Sequence, residues 1–560
     1  MALLHVGAVC LALWSFVLCS TGIVQCRVLW RFADRTAAAS ASVTNCTYPD
    51  LISATADELE SGLKGGCFSS VDLVNQCRLS RSAQAYIARI QEVNSTVHAV
   101  TELNPQAVEI AEQLDQERKN GSLRGPLHGL PVLIKGNIAT QDELQTTAGS
   151  YALLNAQPPS DSTIAAKLRQ AGLIILGKAD LSQWANFRSF NSSNGWSAYG
   201  GQVGSSSGSG VASDLGLAFA ALGTETSGSI VSPSEVNNIV GIKPTVGLAS
   251  RYLVVPISER QDTVGPMART VKDAAQLLQV IAGPDPKDNY TLASPFGSNL
   301  PDYVAACKLT GLQGKRIGIP RNVIAALQED YMGPYIAAFN AAVSVIAAAG
   351  ATIIDNTNFT AFDTFNNSTV PDSVLFADFI SDLATYLSEL KTNPNNLHSL
   401  EDVRAFTQHF PLEDYPARDT AVWDAALAAG INNTSPQFWP LYQQNRYFGD
   451  EGGVLGALKK YNLDAVILPT DFAYPVPAVV GAPIVTVPLG AYPNGTAVQR
   501  SPPWNLVEAA PGIPFGISFM GPLWSEESLI GMAYAFEQRT LVRDKLKRYI
   551  EPHTQLKDVV

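Results

Sequence analysis

GGQVGSSSGSGVASDLGLAFAALGTETSGSIVSPSEVNNIVGIKPT, residues 200–245, holds two clusters of small residues separated by an apolar run. The clusters are GSSSGSG at 204–210 and TETSGS at 224–229, and the run spans Leu215 to Leu222. Serine and glycine at this density would suit a flexible linker, but a linker does not carry LGLAFAAL inside it. Two serine-bearing turns joined by a buried element would place hydroxyls and free backbone N–H groups around one pocket. That is the arrangement expected of a hydrolytic centre.

Upstream, GPLHGLPVLIKGNIAT (125–140) reads as turn residues, a short apolar strand PVLI and then Lys135. A lysine closing a strand is most often a solvated charge. Held in the interior with a depressed pKa, it would serve as a base. TTAGS (146–150) is a further small-residue turn, followed by a helix STIAAKLRQAG, a strand LIILG and a loop KADLSQWANFRS. This alternation is that of α/β architecture.

Downstream, DTVGP (262–266) reads as a turn before an amphipathic helix begun by Thr270. KRIGIP and ATIIDN flank the helix YMGPYIAAFNAAVSVIAAAG as a β–α–β unit, and LDAVILPT, APIVTVPLG and GIPFGISFMG are strand-like. Residues 51–120 have a helical pattern, with Gly121 ending the last helix. Residues 355–450, rich in sequons and aromatics, read as a surface helical insertion around the substrate, and 546–560 as a C-terminal tail. The expectation is one mixed α/β domain over 51–545 that begins with helices.

Hydrophobic residues make up 46% of the 560 and charged residues only 16%, which is ample for a large core. A net charge of −12 points away from nucleic acid or an anionic membrane as partner. The N-terminus, MALLHVGAVCLALWSFVLCSTGIVQC, reads as a secretory signal peptide over 1–22, with cleavage between 22 and 26. A poorly structured lead-in, 27–50, would follow. N-x-[ST] sequons stand at Asn45, Asn94, Asn120, Asn191, Asn289, Asn358, Asn366, Asn367, Asn432, Asn433 and Asn494. This excess over chance leans toward a secreted glycoprotein. Cys46, Cys67, Cys77 and Cys307 lie beyond the signal and allow two disulfides of open connectivity, with Cys26 depending on cleavage. No Cys or His spacing suits zinc, so no metal is expected.

Two serines compete for the role of nucleophile. Gly204–Gly208 matches G-x-S-x-G, which would make Ser206 the nucleophile of an esterase elbow. That elbow needs a buried strand just before it, and NSSNGWSAYGGQV is polar and glycine-rich. In the other reading Ser229 attacks, the clustered amides of T-S-G-S form an oxyanion hole, and a second serine and a buried neutral lysine relay the proton. TETSGS could equally be a turn with helix-capping hydroxyls.

The ordered set GPLHGLPVLIKGNI, TTAGS, KADLSQWANFRS, GWSAYGGQ, GSSSGS, LGTETSGSI, VGIKPT, RQDTVGPMARTVKDA, GIPFGISFMG and AYAFEQ resembles the amidase signature family over about residues 52–540. The resemblance implies a mixed central β-sheet with helices on both faces and hydrolysis of a carboxamide through a Ser–cisSer–Lys triad. It makes Lys135 the base, Ser205 the bridging serine after a cis peptide bond, and Ser229 the nucleophile. Thr226, Ser227, Gly228 and Ser229 become the oxyanion hole. It also implies no cofactor, a small-molecule amide as substrate, and neither nucleic acid nor stable membrane association. The sequence departs from the family at Gly136, usually Asp, at Val231, often Arg, and at Ser227. The segment between GGQ and GSSSGS is also short, a single Val203. These changes raise a binding protein of amidase fold without turnover as an alternative. An amidotransferase subunit is a further family role, against which export argues.

Overall fold

The apolar run of the opening stretch, Leu215–Leu222, leads into a strand buried at every position, Ala220–Glu225. The computed structural model describes residues 46–74, 85–190, 194–202, 208–501 and 506–560. In chain order its strands are β1 (Val100–Leu103), β2 (Pro131–Lys135), β3 (Ile174–Ala179), β4 (Trp196–Ser197), β5 (Gly201–Gln202), β6 (Ala220–Glu225), β7 (Val240–Lys243) and β8 (Thr263–Ala268). They continue with β9 (Arg316–Ile319), β10 (Thr352–Asp355), β11 (Ala465–Pro469), β12 (Ile484–Ala491), β13 (Gln499–Ser501), β14 (Leu506–Ala509) and β15 (Pro514–Met520).

Among the described residues, eleven of these form one sheet in the order β1-β3-β2-β6-β8-β7-β12-β15-β11-β9-β10. β2 runs parallel to both β3 and β6, whereas β8 is antiparallel to β6 and β7. The sheet is therefore mixed, with helices packed around it. Its parallel strands read as continuous apolar runs because both faces are covered. The β–α–β unit expected around 315–356 is present: β9 and β10 pair in parallel across helix Gly333–Ala348.

Local signals explain the helix ends. Thr55 and Glu58 form a capping box on helix Ala56–Gly65, and Gly66 closes it in the left-handed conformation. Ser162 caps Thr163–Gln170, and Thr270 caps Val271–Ile281 by accepting from the Asp273 amide.

Three expectations need correction. DTVGP is not a turn, because Thr263 onward is β8, in the interior of the sheet between β6 and β7. Glycine and proline signal turns locally, but here the glycine serves packing: a Cβ on Gly265 would lie 2.0 Å from the Ile242 carbonyl oxygen. The N-terminal region is not wholly helical, since β1 adds to the sheet as its edge strand, antiparallel to β3. Residues 546–560 are not a loose tail. Leu556 and Val559 are buried, and Arg89 donates to the carbonyls of Pro552 and Thr554. Cys46 and Cys67 form a disulfide, and Cys307 is a half-buried free thiol. Residues 1–45, with the expected signal and most of the lead-in, lie outside the described residues, as does Cys77.

Candidate active site

β2 and β6 are parallel neighbours with Ile134 opposite Leu222. Their carboxyl ends therefore deliver Lys135 and the turn 226–229 to one place, the usual position of a site in a parallel sheet. Lys135 is 2% exposed, and its Nζ donates to the Thr224 carbonyl at 3.1 Å. Burial pushes its pKa down to about 8, against the opposing pull of the Glu225 and Asp262 carboxylates. Lys178 and Lys243 are buried as well, and burial lowers them to about 7 and about 8. Lys178 donates to the Ile138 carbonyl and the Thr146 hydroxyl, Lys243 to the Ala482 carbonyl. Of these three lysines, only Lys135 lines the cavity that also holds Ser229.

The turn after β6 is held from two sides. Glu225 Oε2 accepts the Ile230 and Val231 amides at 2.7 and 3.0 Å, which fixes the start of helix Val231–Val236. Thr226 Oγ1 donates to Asp262 at 2.6 Å, and Asp262 also accepts the amides of Ile257 and Ser258. Burial raises the Asp262 carboxyl above its ordinary value, while these donors act to lower it. Among the described residues, the amides of Ser227, Gly228 and Ser229 donate to no protein acceptor. An unpaired run of N–H groups beside a hydroxyl is what an oxyanion site requires.

Gly228 makes the turn possible. Its φ of +87° lies in the region that favours glycine, and a Cβ there would meet the Tyr474 ring at 2.9 Å. Gly228→Ala is expected to lower kcat at least about 100-fold, the scale of losing an oxyanion donor, and also to lower the unfolding midpoint, because the added Cβ is strained at this φ and meets the Tyr474 ring. Steady-state kinetics beside a denaturant titration checks this.

The cavity has a volume of about 290 Å³. Lys135, Thr226, Ser227, Gly228 and Ser229 line one side, and Ala185, Phe187, Ile257, Leu375 and Tyr474 supply apolar and aromatic walls. Trp184, Ala185 and Asn186 are three successive residues of left-handed conformation, with φ of 52°, 53° and 70°. This costly geometry is fixed by its surroundings: the Trp184 amide donates to Ala148 of the TTAGS turn, and the ring packs edge-on against Trp423.

Glu413 was not singled out in the sequence, yet it holds this wall together. It is fully buried, pairs with Arg188 at 3.1 Å, and accepts from Ser150 Oγ, the Tyr151 amide and Gln183 Nε2. Region 355–450 is thereby tied to two loops of the site. Only its partners, far away in the chain, mark this residue, so no local pattern would have found it. Glu413→Ala strands the Arg188 charge and is expected to cost about 3–5 kcal/mol, read as a shift in the urea midpoint at unchanged slope.

Ser205, Ser206, Val203 and the cis bond expected before Ser205 fall outside the described residues. The segment just before them is the two-residue strand β5, paired only with β4 and apart from the main sheet. It is not the buried strand that an elbow at Ser206 would need. At Gly136 the N–H donates to the Ala179 carbonyl, and a Cβ would lie 3.2 Å from the Leu181 side chain, so the chain next to Lys135 is tightly packed there.

Comparison with known proteins agrees with this architecture. The Amidase family profile matches residues 81–530. A putative amidase of Arthroderma benhamiae is 58% identical over 539 residues, covering 92% of this chain and 90% of that protein. Among solved structures, the native peptide amidase of Stenotrophomonas maltophilia is similar at 35% identity and a TM-score of 0.75, over 89% of this chain and 98% of that one. An amidase family protein of Bacillus anthracis is similar at 31% identity and a TM-score of 0.75, over 90% and 93%. The chain belongs to the amidase signature family, and it is a hydrolase of carbon–nitrogen bonds.

Proposed function

We propose that the chain hydrolyses a carboxamide through an acyl-enzyme on Ser229, with Lys135 as base and Ser205 as the bridging relay. The observation that carries this reading is that Ser229 shares one cavity with a lysine whose burial lowers it to about 8. Neutral Lys135 takes a proton, through Ser205, as Ser229 Oγ attacks the carbonyl carbon. The amides of Ser227, Gly228 and Ser229, with that of Thr226, receive the developing oxyanion. The proton then passes to the leaving nitrogen, a necessary step because an amide anion leaves poorly. Water attacks the acyl-enzyme with the same groups acting in reverse.

A fluorophosphonate probe followed by peptide mapping tests the assignment. An adduct on Ser229 is expected. An adduct on Ser206 would select the elbow esterase, and the absence of any adduct would select binding without turnover. Hydrolysis of an amide library by the mature protein then defines the acyl group.

The chain is further proposed to be exported and glycosylated. Support comes from the apolar N-terminus, the Cys46–Cys67 disulfide, and sequons exposed at Asn120, Asn289, Asn366, Asn367 and Asn494. Asn94 differs, since its amide is turned inward to bond both the N–H and the C=O of Val100. Enzymatic deglycosylation of protein from a secreting host is expected to reduce the mass and convert exposed sequon asparagines to aspartate, leaving Asn94 unchanged.

A further inference from the structure

A second cavity, of about 300 Å³, adjoins the first, and Asn186, Asn194, Ser232 and Tyr474 line both. The helix that follows the nucleophile, Val231–Val236, turns Glu235 into this second space. Glu235 is only 4% exposed. Its Oε2 lies 2.7 Å from the Tyr335 hydroxyl and accepts the Gly516 amide at 3.1 Å. Its Oε1 has no hydrogen-bond partner among the described residues, so one oxygen of a buried side chain on the cavity wall is left for a ligand.

Two more carboxylates complete the acidic side. Asp471 is half-buried and, among the described residues, its carboxylate carries no hydrogen bond or ion pair. Glu508 stands at the exposed rim and, among the described residues, accepts only the Tyr331 hydroxyl, at 3.2 Å. From rim to floor the acids thus run Glu508, Asp471, Glu235. No Lys, Arg or His occurs among the described residues that line this cavity. The remaining walls are largely aromatic, from Tyr331, Tyr335, Tyr492 and Phe515 besides Tyr474. Aromatic faces next to carboxylates are what a cation finds favourable.

Electrostatics point the same way. Burial holds Glu235 well above the ordinary carboxyl range, and the nearby Asp471 adds to this. Burial raises Asp471 to about 6, with Glu508 pushing in the same direction. The hydrogen bonds around Tyr335 agree. Its single proton faces both Glu235 and the Gly516 carbonyl, while the Thr470 amide donates to its oxygen. A proton on Glu235 resolves this, with Glu235 donating to Tyr335 and Tyr335 donating to Gly516. With Glu235 neutral, Asp471 and Glu508 oppose one another, and a positive charge placed between them would relieve the repulsion.

We propose that this cavity is a specificity subsite for a cationic group, an ammonium or guanidinium, carried by the amide whose carbonyl is attacked at Ser229. The proposal rests on the hydrolytic reading of the Ser229 pocket and names the substrate class of that site. The cation would sit between Asp471 and Glu508 and reach toward Glu235 Oε1.

The test uses a homologous series of ω-amino alkanamides beside isosteres in which a methyl replaces the ammonium. The full-length protein is expected to favour the cationic member of the best-fitting pair by at least about ten-fold in kcat/KM, the scale of a charge-assisted hydrogen bond. Asp471→Asn with Glu508→Gln is expected to reduce that ratio to about two or less. Glu508→Gln alone, at an exposed position, keeps the comparison usable should the double variant fail to fold. Equal or inverted preference in the wild type, or a ratio unmoved by the substitutions, overturns the proposal. Calorimetry of the same pairs on the Ser229→Ala protein separates the two readings. If the wild type turns over neither amide yet the cationic one binds the Ser229→Ala protein more tightly, the hydrolytic assignment falls and the subsite stands. If the cationic one binds no better, the subsite falls.

Discussion

Ser229→Ala is expected to lower kcat by about 10⁴–10⁶-fold, the range seen when a hydrolase loses its nucleophile, while KM and the unfolding midpoint stay close to wild type. The geometry explains why the loss should be confined to chemistry. Ser229 is half-buried at the cavity wall, and no structural hydrogen bond depends on its side chain among the described residues. The turn is held by Glu225 through the Ile230 and Val231 amides and by Asp262 through Thr226, so it survives removal of one hydroxyl. Residual activity would come from the amides and binding alone. Single-turnover kinetics with an activated amide or ester gives the comparison. Retention of more than about one-tenth of wild-type kcat, far above the scale expected for a lost nucleophile, would remove Ser229 from the mechanism.

Lys135 gives the second large effect, and its sign follows from burial. A base must be neutral, and burial brings this amine to about 8 from an ordinary 10.5. The rate should therefore climb through about pH 8 and level above it, by about ten-fold for each pH unit on the acid side. Lys135→Met should lower kcat by about 10³–10⁵-fold, comparable to loss of a triad base, and remove that limb of the profile. Lys135→Arg should be as inactive, because guanidinium stays charged.

Stability answers to the same burial. Below about pH 8 the folded wild type bears a buried ammonium, and between 8 and 10.5 the unfolded chain binds a proton that the folded one does not. Wild-type stability should therefore rise with pH across that window. The shift corresponds to about 3 kcal/mol, from which the lost hydrogen bond to Thr224 subtracts about 1 kcal/mol. The methionine variant should thus be the more stable protein at pH 7, by about 2 kcal/mol, and lose that advantage toward pH 10. Urea titrations at the two pH values decide it. A variant that is both inactive and less stable at pH 7 would show that Lys135 is held as a structural cation.

Much of this was legible in the sequence, because the decisive signals are local. Apolar runs with a polar end specify β2 and β6, cap residues specify where helices start, and a glycine in T-S-G-S specifies a turn that no side chain could enter. The order of short motifs carried the family. DTVGP misled because glycine and proline act as turn formers when read alone, whereas the reason for Gly265 is a carbonyl on another strand. Glu413 was invisible for the same reason, since its partners Ser150, Gln183 and Arg188 lie more than two hundred residues away.

For the opening stretch, residues 200–245, sequence alone determined the turn at TETSGS and the buried apolar element before it, since spacing and apolar character are properties of the chain, whereas 203–207 lie outside the described residues and a helix begins at Gly208. The family resemblance named Lys135, and what the tertiary structure adds is that Lys135, of three buried lysines, lines the same cavity as Ser229. Lys135, Lys178 and Lys243 all close or follow apolar runs, and all three are buried with lowered pKa values. What separates them is the cavity wall, which arises where the carboxyl ends of β2 and β6 meet side by side. Desolvation and proximity are set by what packs around a group, and packing is written across the whole chain rather than at any one place in it.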